Sequence, residues 1–168
     1  MRKWGTGLDS HQFRHVLGQF ATGITVVFTL GDRGAHGMTV NSLTSVSLDP
    51  PLILFCVDRH ARTWQAVKKG RPFTVNILAD TQEPISRLFA DPNTDDAVIK
   101  TLPHRLSDSG LPILDDALAF VDCTVESIYA GGDHDIVIGR VNALDTLTPG
   151  QPLLFFAGHY HRLQRPLD

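Results

Sequence analysis

Three groups of residues in this chain have the types and spacing to do chemistry. The first is the run Gly37 to Asp58, GMTVNSLTSVSLDPPLILFCVD. Thr39, Asn41, Ser42, Thr44, Ser45 and Ser47 put small donors and acceptors along one extended segment, where a solvated strand face more often carries Lys or Glu. A flat ligand with a polar edge could lie along it; a half-buried strand with its hydroxyls in water has the same composition. The second group is Arg59, Arg62 and Thr63. Here a strand hands over to a helix, and the first N–H groups of a helix have no partner within it and favour an anion. A phosphate fits, and so does an ordinary basic loop. The third group is the histidines, eight in all. His159 and His161 would share a strand face, and Asp133-His134-Asp135 could add a ligand group. There is no H-E-x-x-H and no paired C-x-x-C, so no metal is expected. A serine hydrolase is excluded more firmly, because no G-x-S-x-G elbow is present.

The elements that must carry these groups are mostly strands. Met38 to Leu48 and Leu52 to Val57 read as two strands about the turn Asp49-Pro50-Pro51, since proline cannot donate to a ladder from inside one. Ile24 to Leu30 is a strand that enters the hydroxyl-rich run through the turn Gly31-Asp32-Arg33-Gly34. Asp9 or Ser10 caps a helix to about Phe20, with Phe13, Val16, Leu17 and Phe20 as its apolar stripe. A helix over about Ala61–Lys69 ends at Gly70. Phe73 to Leu78 is a strand whose Asn76 is either a satisfied core amide or a ligand contact. Asp80 or Thr81 caps a helix with Ile85, Leu88 and Phe89 on its apolar face. Residues 91–109 form a polar loop with one short helical turn, long enough for a lid or a partner-facing segment. Ala119 to Tyr129 and His134 to Leu144 are long strands about the turn Ala130-Gly131-Gly132-Asp133. Leu153 to Phe156 is the last strand. Strands outnumber helices and βαβ alternation is absent, so the fold class is mainly β with short helices, an antiparallel barrel.

The 168 residues point to a single domain over 1–168, with 1–8 as a disordered lead-in. With 15 Lys and Arg against 18 Asp and Glu, the formal net charge is −3, which argues against a nucleic-acid partner. No apolar run is long enough for a membrane span, and the amino terminus has no apolar core of a secretory signal. Cys56 and Cys123 both lie in apolar runs and are expected to be buried free thiols of a cytoplasmic protein.

Four stretches, in this order, also carry a resemblance. They are GMTVNSLTSVSLDPPLILFCVDR from Gly37, RPFTVNIL at Arg71 to Leu78, GGDHDIVIGRV at Gly131 to Val141 and LLFFAGHYHRL at Leu153 to Leu163. Together they resemble the flavin reductases of two-component monooxygenases, which are FMN-binding split-barrel proteins, over roughly His11 to Leu163. The resemblance implies a split β-barrel and a homodimer with flavin sites near the subunit interface. It implies hydride transfer from NADH or NADPH to FMN or FAD, with reduced flavin supplied to a separate oxygenase component. A flavin-binding or carrier protein without turnover is the alternative, since fold does not fix function.

The same resemblance implies a flavin site on Thr39, Val40, Asn41, Ser42, Ser45, Val46 and Ser47, with Cys56 and Val57 of the next strand. It implies Arg59, Arg62 and Thr63 around the phosphate, and turns Asn76 toward a site-lining role. Family members often carry Ser at one or two positions matching His60 to Arg62, where this chain has His60, Ala61 and Arg62. His134 and Tyr160 are expected on the nicotinamide side. His134 follows a glycine-rich hairpin turn where backbone can come close to a ligand.

Overall fold

The computed structural model describes Gly7, residues 9–32 and residues 34–163; the lead-in expected over 1–8 lies almost wholly outside the described residues. Helix α1 is Ser10–Leu17, with the Asp9 carboxylate accepting from His11 N–H at its start. Then come β1 (Thr22–Gly23), β2 (Thr25–Gly31), β3 (Gly34–Val40), β4 (Thr44–Leu48) and β5 (Pro51–Asp58). A 3₁₀ turn at Arg62–Ala66 leads to β6 (Pro72–Ile77), and a second at Asp80–Gln82 runs into α2 (Glu83–Ala90). After a 3₁₀ segment at Asp96–Thr101 follow β7 (His104–Leu106), β8 (Pro112–Leu114), β9 (Ala119–Gly131), β10 (His134–Thr146), β11 (Leu154–Phe156) and β12 (His159–His161). None of the described helices is long and apolar enough to cross a membrane.

The main sheet has seven antiparallel strands in the order β3-β2-β6-β9-β10-β5-β4. Its two outermost strands, β3 and β4, are consecutive in the chain and joined only by Asn41, Ser42 and Leu43. Laid flat, seven strands would span about 29 Å at the usual spacing. The linker from Val40 to Thr44 reaches at most roughly 14 Å. The sheet must therefore curl until its edges approach, and what results is a barrel split between β3 and β4. The sequence reading runs Met38 to Leu48 as one strand. The structure breaks it at Asn41–Leu43 because the chain must leave one lip of the split and join the other.

Two apolar layers hold this shape. Inside the barrel pack Val27, Val40, Phe55, Val57, Phe73, Val75, Cys123, Val125 and Val137. Outside it, Val26 and Phe28 of β2 are covered by Phe89 of α2 with Ile99, Leu111, Leu114 and Leu153. Phe28 and Phe89 meet edge to face at 5.3 Å between centroids. β2 is thus buried on both faces from Thr25 to Thr29, so Val26, Val27 and Phe28 follow one another instead of alternating with exposed residues. Asn76 belongs to this outer layer. It is fully buried, accepts from Leu114 N–H at 2.8 Å and points its amide NH₂ at the Val26 and Pro112 carbonyls. It is a satisfied core amide that ties β6 to β8, not the site-lining residue expected.

Both cysteines are free, but only Cys123 is buried; Cys56 is half-buried. Burial, with the Asp122 carboxylate beside it, pushes the Cys123 thiol up to about 12, so it is inert packing.

Candidate functional site

A cleft of about 420 Å³ opens at the split. One lip is the end of β3 and the linker, Gly37 to Ser42; the other is the end of β5, Cys56 to Asp58, continued by His60 to Thr63. Phe89 to Pro92 at the end of α2 close one side, and His134 stands at the start of β10. β10 pairs with β5 so that His134 faces Asp58, which is what brings the Gly131-Gly132-Asp133 turn to the same end of the barrel. The lips are stitched by the Cys56 N–H, which donates to Ser42 Oγ at 2.9 Å.

Among the described residues β3 has a strand partner on one side only. Alternate N–H and C=O groups on its free edge therefore face the cleft, an ordered row of donors and acceptors matching a flat heteroaromatic edge. Thr39 Oγ1 is already spent, donating to the Ser86 carbonyl at 2.6 Å. Asn41 is exposed, and no bond to its side-chain amide is found among the described residues. Asn41→Ala is accordingly expected to weaken flavin binding several-fold, the equivalent of one neutral hydrogen bond at about 0.5–1.5 kcal/mol. The melting temperature of the ligand-free protein should hardly move; a collapsed melt would make Asn41 structural.

Val40 and Val57 contribute backbone to the cleft while their side chains pack in the barrel core. Thr63 is buried, with its hydroxyl on Met38 Sδ at 2.9 Å. The two arginines expected at a phosphate are both engaged. Arg59 donates through Nε and Nη2 to Asp135 Oδ1 at 2.8 and 2.6 Å, while Trp64 Nε1 donates to Asp135 Oδ2 at 2.6 Å. These donors, Trp64 first and Arg59 next, hold the Asp135 carboxyl below its usual range. The stabilisation Asp135 brings is present above the ordinary carboxylate range and is lost as pH falls through its lowered value. Arg59 lies outside the cleft, and its work is to hold the 59–64 turn onto β10. Arg62 lines the cleft but donates to the Thr94 carbonyl and sits 3.5 Å from Asp96 Oδ2. What the turn offers an anion without cost is the N–H groups of Arg62 and Thr63, which open the 3₁₀ turn and have no backbone acceptor among the described residues.

His134 Nδ1 is 2.8 Å from Asp133 Oδ1. That hydrogen bond holds the Asp133 carboxyl below its usual range, so the carboxylate accepts and Nδ1 carries the proton. Nε2 is the ring nitrogen left for a ligand at the cleft.

Tyr160 is not in this cleft. Its hydroxyl pairs with Ser86 at 2.9 Å, its ring packs edge to face on Phe155, and the Arg87 guanidinium lies 4.7 Å from the ring centroid. Within one chain it braces α2, and through Ser86 it meets the residue that holds Thr39. Ser45, Val46 and Ser47 also fall outside. They lie on the edge strand β4, where Val46 is the extra residue of a bulge between Ser45 and Ser47. Sequence reasoning misses Met38, His60 and the Ala90–Pro92 corner. The proline that stops α2 is the one signal for that corner.

Comparison with known proteins identifies the family. A model of the flavin reductase like domain matches residues 17–164. HsaB, the reductase subunit of a flavin-dependent monooxygenase of Mycobacterium tuberculosis, is 41% identical over 155 residues, covering 91% of this chain and 82% of that protein. StyB, an NADH-dependent flavin reductase of Pseudomonas fluorescens, is 40% identical over 164 residues, covering 96% and 94%. Among solved structures, the NADH:FAD oxidoreductase SgcE6 of Streptomyces globisporus, in complex with NAD and FAD fragments, superposes with a TM-score of 0.88 at 37% identity, covering 95% of this chain and 96% of that one.

Proposed function

The chain belongs to the flavin reductase-like family, and from that we propose how it works: it takes hydride from NADH or NADPH onto FMN or FAD in the cleft at the barrel split and supplies the reduced flavin to a separate monooxygenase component. The observation that carries this reading is the free edge of β3 facing Cys56 to Asp58 across a cleft of about 420 Å³, with His134 at its mouth. When bound side by side, the nicotinamide and the flavin supply the redox chemistry themselves.

The protein's residues bind and orient. The β3 edge, Asn41 and the Ser42 hydroxyl hold the polar end of the flavin ring, where N–H donors also favour the negative charge that reduction brings. The N–H groups of Arg62 and Thr63 take the phosphate. His134 Nε2 accepts from the nicotinamide carboxamide and sets its face toward the flavin. Tyr160 acts at one remove, through Ser86 and Thr39. No side chain need form a covalent bond.

The test is NADH and NADPH oxidation by the purified protein with FMN, FAD and riboflavin added in turn. Turnover should require added flavin. Flavin binding without oxidation in every combination would leave a carrier in place of a reductase.

A homodimer in the cytoplasm completes the reading. α1 buries none of its residues, and its apolar stripe of Phe13, Val16 and Leu17, continued by Phe20, is 54 to 75% exposed. Leu48 on β4 is 94% exposed. An apolar stripe of this kind needs a partner surface, and a second copy would also cover Ser45 to Ser47 and bring them toward a shared site. Sedimentation at micromolar concentration should give a dimer; a monomer would count against the shared site.

A further inference from the structure

Arg59 and Trp64 stand at either end of the segment His60 to Thr63, which forms one lip of the cleft, and a single carboxylate holds both. Resting on the flavin reading above, we propose that Asp135 is a positioning residue for the flavin half of the site: its carboxylate clasps the two ends of this turn and so sets the lip in place before the ligand arrives.

What holds the turn is the first reason. Its internal bonds are local: Ala61 N–H donates to the Asp58 carbonyl at 3.0 Å, Trp64 N–H to the Ala61 carbonyl at 3.1 Å and His60 N–H to Asp58 Oδ1 at 2.8 Å. They shape the turn without fixing it to the rest of the barrel. Across the cleft it has two further contacts, Thr63 Oγ1 on Met38 Sδ, a weak acceptor, and the exposed Arg62 side chain on the Thr94 carbonyl. Its attachment to β10 is stronger. Arg59 N–H donates to the Asp133 carbonyl at 3.1 Å, which holds only the start of the turn. Asp135 Oδ1 adds the Arg59 guanidinium, and Oδ2 reaches the far end through the Trp64 indole. Bonds to an ionised acceptor are the stronger kind. The strand beneath them is paired on both sides, with Asp135 opposite Val57 of β5 and Ala130 of β9.

The place of the carboxylate is the second. Asp135 is 8% exposed, and with Val137 it lies on the buried face of β10, where Val137 packs in the barrel core. An apolar side chain of similar volume at such a position often stabilises a fold as well as a buried ion pair does, or better, because no charge has to leave water. Burial alone therefore does not call for Asp135. Its partners do not call for it either: the Arg59 side chain is 38% exposed and Trp64 37%, so both donors can be hydrated. What the carboxylate adds is geometry. A lip that is already ordered spares the ligand the free energy of ordering it.

The experiment measures FMN binding, steady-state kinetics, melting and amide exchange in the wild-type protein, Asp135→Asn and Asp135→Leu. Asn keeps the shape but offers one acceptor oxygen to two donors; Leu returns an apolar side chain to the buried face. Both variants should bind FMN about tenfold more weakly. The KM for flavin should rise with the Kd, while kcat and the KM for NADH at saturating flavin stay within about twofold of the wild type. The melting temperature of Asp135→Leu should stay near the wild-type value, which separates positioning from stability. If that variant does not fold, Asp135→Asn carries the same comparison. In Asp135→Asn the amides of Ala61, Trp64 and Val67 should exchange about tenfold faster, with those of β9 and β10 unchanged. Arg59→Gln should cost less flavin affinity in the Asp135→Asn background than by itself, since the two residues act as one clasp. Unchanged FMN affinity in Asp135→Asn overturns the inference, and so does a loss of affinity in which kcat and the melt fall together. If no flavin binds even the wild type, the flavin reading fails by itself. Exchange then decides the clasp: a rise confined to residues 61–67 supports it, and unchanged exchange overturns it.

Discussion

His134→Ala is expected to lower kcat/KM for NADH by about tenfold while leaving the Kd of the flavin almost unchanged. The reasoning begins with the proton. An ionised Asp133 is an acceptor only, so Nδ1 is the donor in the Asp133–His134 bond, and in the uncharged imidazole Nε2 is then an acceptor. An acceptor at the cleft mouth can hold the carboxamide NH₂ of a nicotinamide. Removing it costs one hydrogen bond, about 0.5–1.5 kcal/mol, and also frees the ring to turn from its reactive face. The first loss raises KM and the second lowers kcat, so both should move. His134→Gln, which keeps an acceptor near the same place, should recover part of the loss. If the flavin Kd shifts first and KM for NADH does not, His134 belongs to the flavin half of the site. Its side chain is 42% exposed, so a change in stability does not confuse the reading.

Much of this architecture was legible in the sequence, for identifiable reasons. The apolar runs of β2, β5 and β6 and the glycine-rich turn between β9 and β10 are local signals, and the structure has those strands where their residues place them. The helix cap at Asp9 is local too. What could not be read locally was the split. A run of Thr, Ser and Val from Met38 to Leu48 looks like one strand, because nothing in its composition says that residues 34–40 and 44–48 end on opposite edges of one sheet. The same limit governed the arginines. Arg59 and Arg62 are well placed in sequence for a phosphate, but Asp135 and Asp96 lie 76 and 34 residues away from them and reach them only in the folded chain. Asn76 was ambiguous for a related reason: a strand-interior amide is equally at home in a ligand site and in a buried network, and the acceptors and donor that settle it come from β2 and the Pro112–Leu114 strand. His134, by contrast, lies at the cleft that its contiguous turn chemistry pointed to.

Gly139→Ala should destabilise the protein by about 1–3 kcal/mol, the range for overpacking a filled core, and lower its melting temperature by about 2–4 °C per kcal/mol for a chain of this size. Gly139 sits on β10 at a shift of register against β9, where its missing side chain leaves room for a neighbour. A Cβ there would fall 2.2 Å from Phe73 Cζ and 2.7 Å from Cε1, with Cys123 Cβ at 3.3 Å. Phe73 is fully buried and packs edge to face on Phe55 at 5.2 Å between centroids, so it cannot simply swing aside. Its displacement presses on Phe55, and Phe55 is followed in β5 by Cys56, Val57 and Asp58, one lip of the cleft proposed for flavin. The variant should therefore lose flavin affinity as well as stability, although residue 139 does not line the cleft. Phe73→Leu removes the atoms that collide. If the contact is the cause, Gly139→Ala combined with Phe73→Leu will be more stable than the sum of the two single costs allows, a coupling that contacting residues show and distant ones do not. Strictly additive costs would mean that the strain lies elsewhere in the β9–β10 hairpin, and that the glycine is there for the register shift and not for Phe73.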